Sequence, residues 1–163
     1  MAYERIASRE ALDAMVDLLR DEILPPLNAD DTATYGVYPA RAPGDVAADS
    51  LGPHPYAVVH CDPGAAQHRL TGTEGSRTLT WYVKCVGGTL PRALSAADRV
   101  MAATDGASVS LADGQSARLT IPPGYTAGVP RQDPPGSPGS PDPPRYTVPL
   151  QFQGTFAGKS TGS

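Results

Sequence analysis

RTLTWYVKCVGGTLPRALSAADRVMAAT, residues 77–104, is the stretch on which the fold turns. Over residues 77–86, Leu79, Trp81, Val83 and Cys85 alternate with Thr78, Thr80, Tyr82 and Lys84, the period of a strand with one buried face. Gly87-Gly88 breaks the strand, and Pro91 sits where a first helical turn tolerates proline. Leu90, Leu94, Ala97, Val100 and Met101 then recur at three- and four-residue steps, which predicts a helix ending near Gly106. A strand, a glycine turn and a helix able to fold back over the strand's apolar face form the nucleus of a two-layer α+β domain. The core expected around it comprises Leu79, Trp81, Val83, Leu94, Val100, Leu119 and Leu150.

Upstream, Ser8 is placed to cap a helix with apolar positions at Leu12, Met15, Val16, Leu19 and Ile23, and Pro25-Pro26 stops it. The other face carries Glu10, Asp13, Asp17 and Asp21, and residues 1–31 hold eight acids against three bases. Such a stripe is ordinarily a solvated face; its functional counterpart would be a surface that repels DNA. Residues 35–38 and 56–61 are short aromatic and β-branched runs bounded by Pro39, Pro55 and the turn residues Asp62-Pro63-Gly64, and read as strands. Residues 40–54 read as surface loop, and 65–76 as a polar link.

Downstream, Val109 and Leu111 face Ala117, Leu119 and Ile121 across Asp113-Gly114. A two-residue loop would set Leu111 opposite Ser116 and bring polar groups onto the buried face. A three-residue loop with Gly114 in the left-handed conformation pairs Val109 with Ala117, and is the form expected. Residues 122–145 hold nine prolines and four glycines in 24 positions. With almost nothing apolar to bury, they are expected to project as a loop. Tyr146, Val148, Leu150 and Phe152 make a last strand, in which Pro149, lacking a donor, belongs at an edge or on an unpaired side. The expected fold is one α+β domain over 1–157, a mostly antiparallel sheet packed against two helices, followed by a disordered tail at 158–163.

At 163 residues the chain has length for one core that stands without metal or disulfides. Its formal charge of −4, with no basic block, disfavours tight nucleic-acid binding, which rests on phosphate neutralisation by Lys and Arg. No apolar run has the length of a membrane span, and residues 1–5 lack a signal-peptide core, so the chain is expected in the cytoplasm at synthesis. Cys61 and Cys85 read as buried thiols, with a bridge between neighbouring strands left open.

The residues that carry chemistry do not assemble into a known site. The glycines of Gly154-Thr155-Phe156-Ala157-Gly158-Lys159-Ser160 are separated by three residues where a phosphate-binding loop needs four, and no helix follows. His54, His60, Cys61, His68 and Cys85 match no zinc spacing. His60 and Asp62 share a strand face beside Cys61, but no oxyanion site accompanies them. Trp81 and Leu79 read as core rather than as a stacking platform. No catalytic, cofactor-binding or metal-ligating residue is assigned, and no enzyme activity or cofactor is expected.

The order of elements carries more information. An acidic amphipathic helix, two short strands, the link with Arg69-Leu70-Thr71-Gly72, the strand ending in Val86-Gly87-Gly88, a helix bearing Ala97-Asp98-Arg99-Val100, a hairpin and a final strand follow in turn. Together, over residues 5–156, they resemble the tail terminator (tail completion) proteins of long-tailed bacteriophages, in particular those of actinobacterial phages. The resemblance implies a structural virion protein of the tail and neck, assembled in the host cytoplasm. It would form a homohexameric ring that caps the tail tube protein and meets the head–tail connector or stopper protein. DNA would pass through the lumen without specific binding, and no membrane is involved. The proline-rich 122–145 stretch departs from that family. Two alternatives share the same residues: a head-side connector or stopper component, and a small cytoplasmic binding domain. In the latter, the Pro-x-x-Pro spacings from Pro135, Pro138 and Pro141, followed by Arg145, would serve as a polyproline ligand.

Overall fold

The computed structural model describes residues 8–23, 36–40, 55–62, 64, 66–68, 74–125, 128–133 and 145–157. In chain order the elements are α1 (Ser8–Ile23), β1 (Gly36–Pro39), β2 (Tyr56–Asp62), β3 (Ala66–His68) and β4 (Glu74–Gly87). After them come α2 (Leu90–Thr104), β5 (Ser108–Ser110), β6 (Ser116–Arg118), β7 (Arg131–Asp133) and β8 (Arg145–Ala157). This is the mixed α+β fold expected from the sequence. The main sheet runs β1-β2-β4-β8-β7, with β3 added to β4, and β5 and β6 form a second, two-stranded sheet. β1 and β2 pair in parallel; the other ladders are antiparallel.

β4 is the central strand, and over residues 79–85 its alternation holds: Leu79, Trp81, Val83 and Cys85 are fully buried, while Tyr82 and Lys84 are exposed. Both helices lie on the buried side. α1 packs on β1 and β2, α2 packs on β4 and β8, and the helices touch each other. Ala11, Met15, Val16 and Leu19 of α1 join Val59, Val100, Leu150, Phe152 and Phe156 in one continuous core. The indole N–H of Trp81 donates to the Ala11 carbonyl at 3.1 Å, and its ring meets Phe156 edge-on. A buried polar group is thereby satisfied where the two layers meet.

α2 corrects one expectation. Thr89 caps it, its hydroxyl accepting from the Arg92 amide, and Pro91 lies in the first turn as expected. The face turned to the sheet, however, is Ala93, Ala96, Ala97, Val100 and Thr104, whereas Leu90 and Leu94 are 37% and 39% exposed. The cause is close approach: a Cβ on Gly87 would stand 2.6 Å from the Ala93 amide nitrogen. Alanines fit a backbone that near; a leucine at those positions would not. Ile121, grouped with Ala117 and Leu119 on one apolar face, is likewise exposed.

The link at 65–76 is partly strand. β2 and β3 follow one another along the same neighbour, with Asp62 opposite Thr80 and Ala66 opposite Arg77. Four steps on one side answer three on the other, so β2 and β3 run in the same direction along β4 with the ladder broken between them. Gly64 has φ +61, and a Cβ there would lie 1.9 Å from the Thr78 carbonyl oxygen. Glycine is required at that contact on both counts. The β5–β6 hairpin takes the expected register, Val109 opposite Ala117, with Gly114 at φ +85.

The described part of the proline-rich segment does not project. Thr120 and Gln153 exchange backbone hydrogen bonds, the Gly128 amide donates to the Pro149 carbonyl, and β7 pairs with the start of β8. The Tyr125 hydroxyl also donates to Pro149 O, at 2.8 Å. The segment therefore covers the outer edge of β8, where Pro149 offers an acceptor and lacks only a donor. At the opposite edge, the Arg20 guanidinium donates to the Val37 carbonyl at 3.0 and 3.2 Å, which occupies an otherwise open strand group. Residues 134–144 and the 158–163 tail lie outside the described residues.

Candidate functional site

The sheet separates the groups that sequence proximity suggested as a cluster. His60 and Asp62 project from the face of β2 away from the helices, and Cys61, between them, faces the helix side half-buried. Asp62 is engaged as a turn former, its Oδ1 accepting from the Gly64 amide at 2.9 Å. Burial, with the Asp62 charge beside it, pushes the Cys61 thiol up to about 11, partly opposed by Arg77. A thiol held in its neutral form is a weak nucleophile. This arrangement offers neither an activated sulfur nor a base aimed at one.

Cys85 is fully buried, and desolvation pushes its thiol up to about 12. It pairs with Ala57 while Cys61 pairs with Trp81, so the cysteines stand four residues apart along the ladder, about 13 Å at the usual rise. Both are free, and the bridge left open by the sequence is not formed. His68 is in β3, His60 is on the face opposite Cys85, and His54 lies outside the described residues. Among the described residues no three His, Cys, Asp or Glu side chains gather at one point. Gly154–Ala157 of the phosphate-loop look-alike is strand, in β8. The Pro-x-x-Pro positions Pro135, Pro138, Pro141 and Pro144 fall outside the described residues, and Arg145 opens β8.

Part of the acidic face of α1 has a structural use. Glu10 accepts from the Ala112 amide at 2.6 Å, tying α1 to the β5–β6 hairpin, while Asp13 and Asp17 are exposed. No helix among the described residues is long and apolar enough to cross a membrane.

Two surfaces stand out instead. The first is the flank of α2 on which Leu90 and Leu94 are exposed. Helical spacing puts Met101 on the same line, and Asp98 and Asp105 beside it. This flank leads into an open depression of about 840 Å³ lined by Met101, Asp105, Arg118, Leu119, Ile121 and Phe152. The sequence shows the competition of two leucines and three alanines for one face but not its outcome: the alanines win because the turn at Gly87 brings the helix close.

The second surface is the face of the main sheet opposite the helices. The register sets His60, Tyr82 and Gln151 in one row, Val58, Lys84 and Pro149 in the next, and Asp62, Thr80 and Gln153 on the other side. Tyr82 is 41% exposed at the centre of this face, which no helix covers among the described residues. At one end Tyr38, Tyr56, Val58 and Val86 form a separate small apolar cluster, with the two tyrosine rings edge to face. The α2 flank exposes apolar side chains, whereas on the sheet face Tyr56, Val58 and Val86 are buried and Tyr82, Lys84 and Asp62 are exposed; among the described residues neither surface holds a constellation for bond making. Neither models of known families nor curated proteins yield a match to this chain.

Proposed function

We propose that this protein is a structural component of a phage virion, a tail terminator that forms a ring at the end of the tail tube and joins it to the head connector. The observation that carries the reading is the order of elements: an acid-faced helix, two short strands, a long strand ending at Gly87, a helix with Asp98-Arg99, a hairpin and a long last strand. That order is the one on which the resemblance rests. The net charge of −4 supports it as well, since a lumen lined by such subunits would let DNA slide past without trapping it. In this reading the protein binds copies of itself, the tube protein and the connector, and catalyses nothing.

Imaging of intact particles tests it, with a label inserted near Gly158. The expected position is the head–tail junction, and purified headless tails should retain the label. Particles lacking the protein should carry tails of uncontrolled length or heads without tails. A label at the distal tail tip or over the capsid shell would sink the reading, and loss of the label from headless tails would favour a head-side connector or stopper.

A further inference from the structure

The chain holds two Asp-Gly pairs, Asp105-Gly106 after α2 and Asp113-Gly114 in the β5–β6 turn. Both pairs are exposed, and both glycines have positive φ, +68 and +85. An aspartate followed by glycine is open to cyclisation, because no Cβ on the next residue shields the amide nitrogen from its carboxyl group. Space does not separate the two sites: a Cβ at Gly106 would meet only Arg118 Nη2, at 3.9 Å, and one at Gly114 nothing within 4 Å. What separates them is how the reacting atoms are held. The Gly114 amide donates to the Leu111 carbonyl at 3.0 Å, and Asp113 Oδ1 accepts from the Gln115 amide at 2.9 Å. The Gly106 amide donates to no group among the described residues, and the Asp105 carboxylate makes no hydrogen bond or ion pair with them. The geometry points to Asp105 as a site of spontaneous isoaspartate formation in the folded protein, with Asp113 protected by its own turn.

In the first step the Gly106 nitrogen bonds to Asp105 Cγ; the N–H proton and the hydroxyl of the protonated carboxyl group leave as water, and a five-membered imide closes. In the second, water adds across one of the two imide C–N bonds. Opening at Cγ restores aspartate. Opening at the main-chain carbonyl leaves the chain running through Cβ and Cγ, with the former carbonyl carbon as a free carboxylate. Only water is exchanged. The attack requires rotation about the Asp105 Cα–C bond from its ψ of 115, and neither reacting group gives up a hydrogen bond in that turn. The corresponding rotation at Asp113 breaks two. The product matters for its place: Asp105 and Gly106 line the depression beside Arg118, and Ala107 is pinned by its amide to Thr104 and by its carbonyl to the Leu119 amide. Conversion adds one atom to the chain between α2 and that anchor, so the end of α2 is where the molecule changes shape with age.

Peptide mapping of aged protein tests this. The chain is kept for weeks at neutral pH and physiological temperature, folded in buffer and, in parallel, unfolded in guanidinium chloride. Trypsin then releases residues 100–118 with both pairs in one peptide, and an endoprotease that cleaves before aspartate but not before isoaspartate reads each pair separately. In the folded protein, resistance before residue 105 is expected to accumulate about fivefold faster than before residue 113, the factor that one engaged amide hydrogen bond imposes. In guanidinium the two rates should converge. In Asp105→Glu, whose longer side chain does not close the five-membered ring, the isomeric 100–118 peptide should form only at the slow rate of Asp113; the position is exposed, so folding should be retained. Equal rates in the folded protein, faster conversion at Asp113, or a difference that persists in guanidinium would overturn the proposal, as would an isomeric peptide undiminished in Asp105→Glu.

Discussion

Trp81 joins three parts of the molecule through one side chain. Its ring is buried among core residues, its edge meets Phe156 of β8, and its N–H is spent on the Ala11 carbonyl of α1, seventy residues away. Trp81→Ala should therefore remove packing in both layers and the hydrogen bond that ties β4 to α1, costing about 3–5 kcal/mol. Thr80 is adjacent but points to the other face, where its hydroxyl accepts only a 3.5 Å contact from the Gln153 amide. Thr80→Ala should cost no more than about 0.5 kcal/mol. Urea unfolding of both variants checks the pair; comparable losses would mean that the strand is buried on two sides. The alternation that identifies Trp81 is legible in the sequence because strand period and burial period coincide in β4. The partner of its N–H is not, since no local pattern relates residues 11 and 81.

At the level of elements, the limits of the sequence reading have definite causes. β4, β8 and both helices are legible from periodicity, and the β5–β6 register follows from asking which pairing buries Val109 with Ala117. The phase of α2 is not, because leucine and alanine satisfy the same spacing rule. What decides between them is the Gly87 contact, a tertiary distance. β3 and β7 escape for another reason: they are three residues each, and their existence depends on β4 and β8 extending past the apolar runs that mark them. The candidate surfaces are legible only as residues, since the spacing rule places Leu94 in the core. This assignment yields a test by paired substitution. Leu94→Gln should leave stability within about 0.5 kcal/mol, whereas Ala97→Leu, which adds bulk on the face packed against the sheet, should cost about 1–3 kcal/mol. Thermal unfolding of the two variants reads the difference directly. The reverse ranking would place the leucines inward.

For the molecule as a whole, the apolar residues of α1, β1, β2, β4, α2, β5, β6 and β8 join one core cluster, which crosses the chain from Ala11 to Phe156. Elements that share one core lose their support together, so unfolding should be a single cooperative transition. The members of that core among the described residues are apolar, and its fully buried thiol, Cys85, is held neutral by desolvation. A metal that stabilised the fold would need a deprotonated thiolate or a cluster of imidazoles and carboxylates, and its removal would lower the midpoint by linkage. The expected result is that Trp81 fluorescence and far-ultraviolet circular dichroism give coincident melting curves, and that excess chelator leaves the midpoint unchanged. Because Trp81 is the single tryptophan and contacts both layers, its emission reports the core and the circular dichroism reports the helices. Separated curves would divide the chain into two folding units, and a chelator-induced fall of several degrees would reveal a ligand site among residues that the spacing rules passed over.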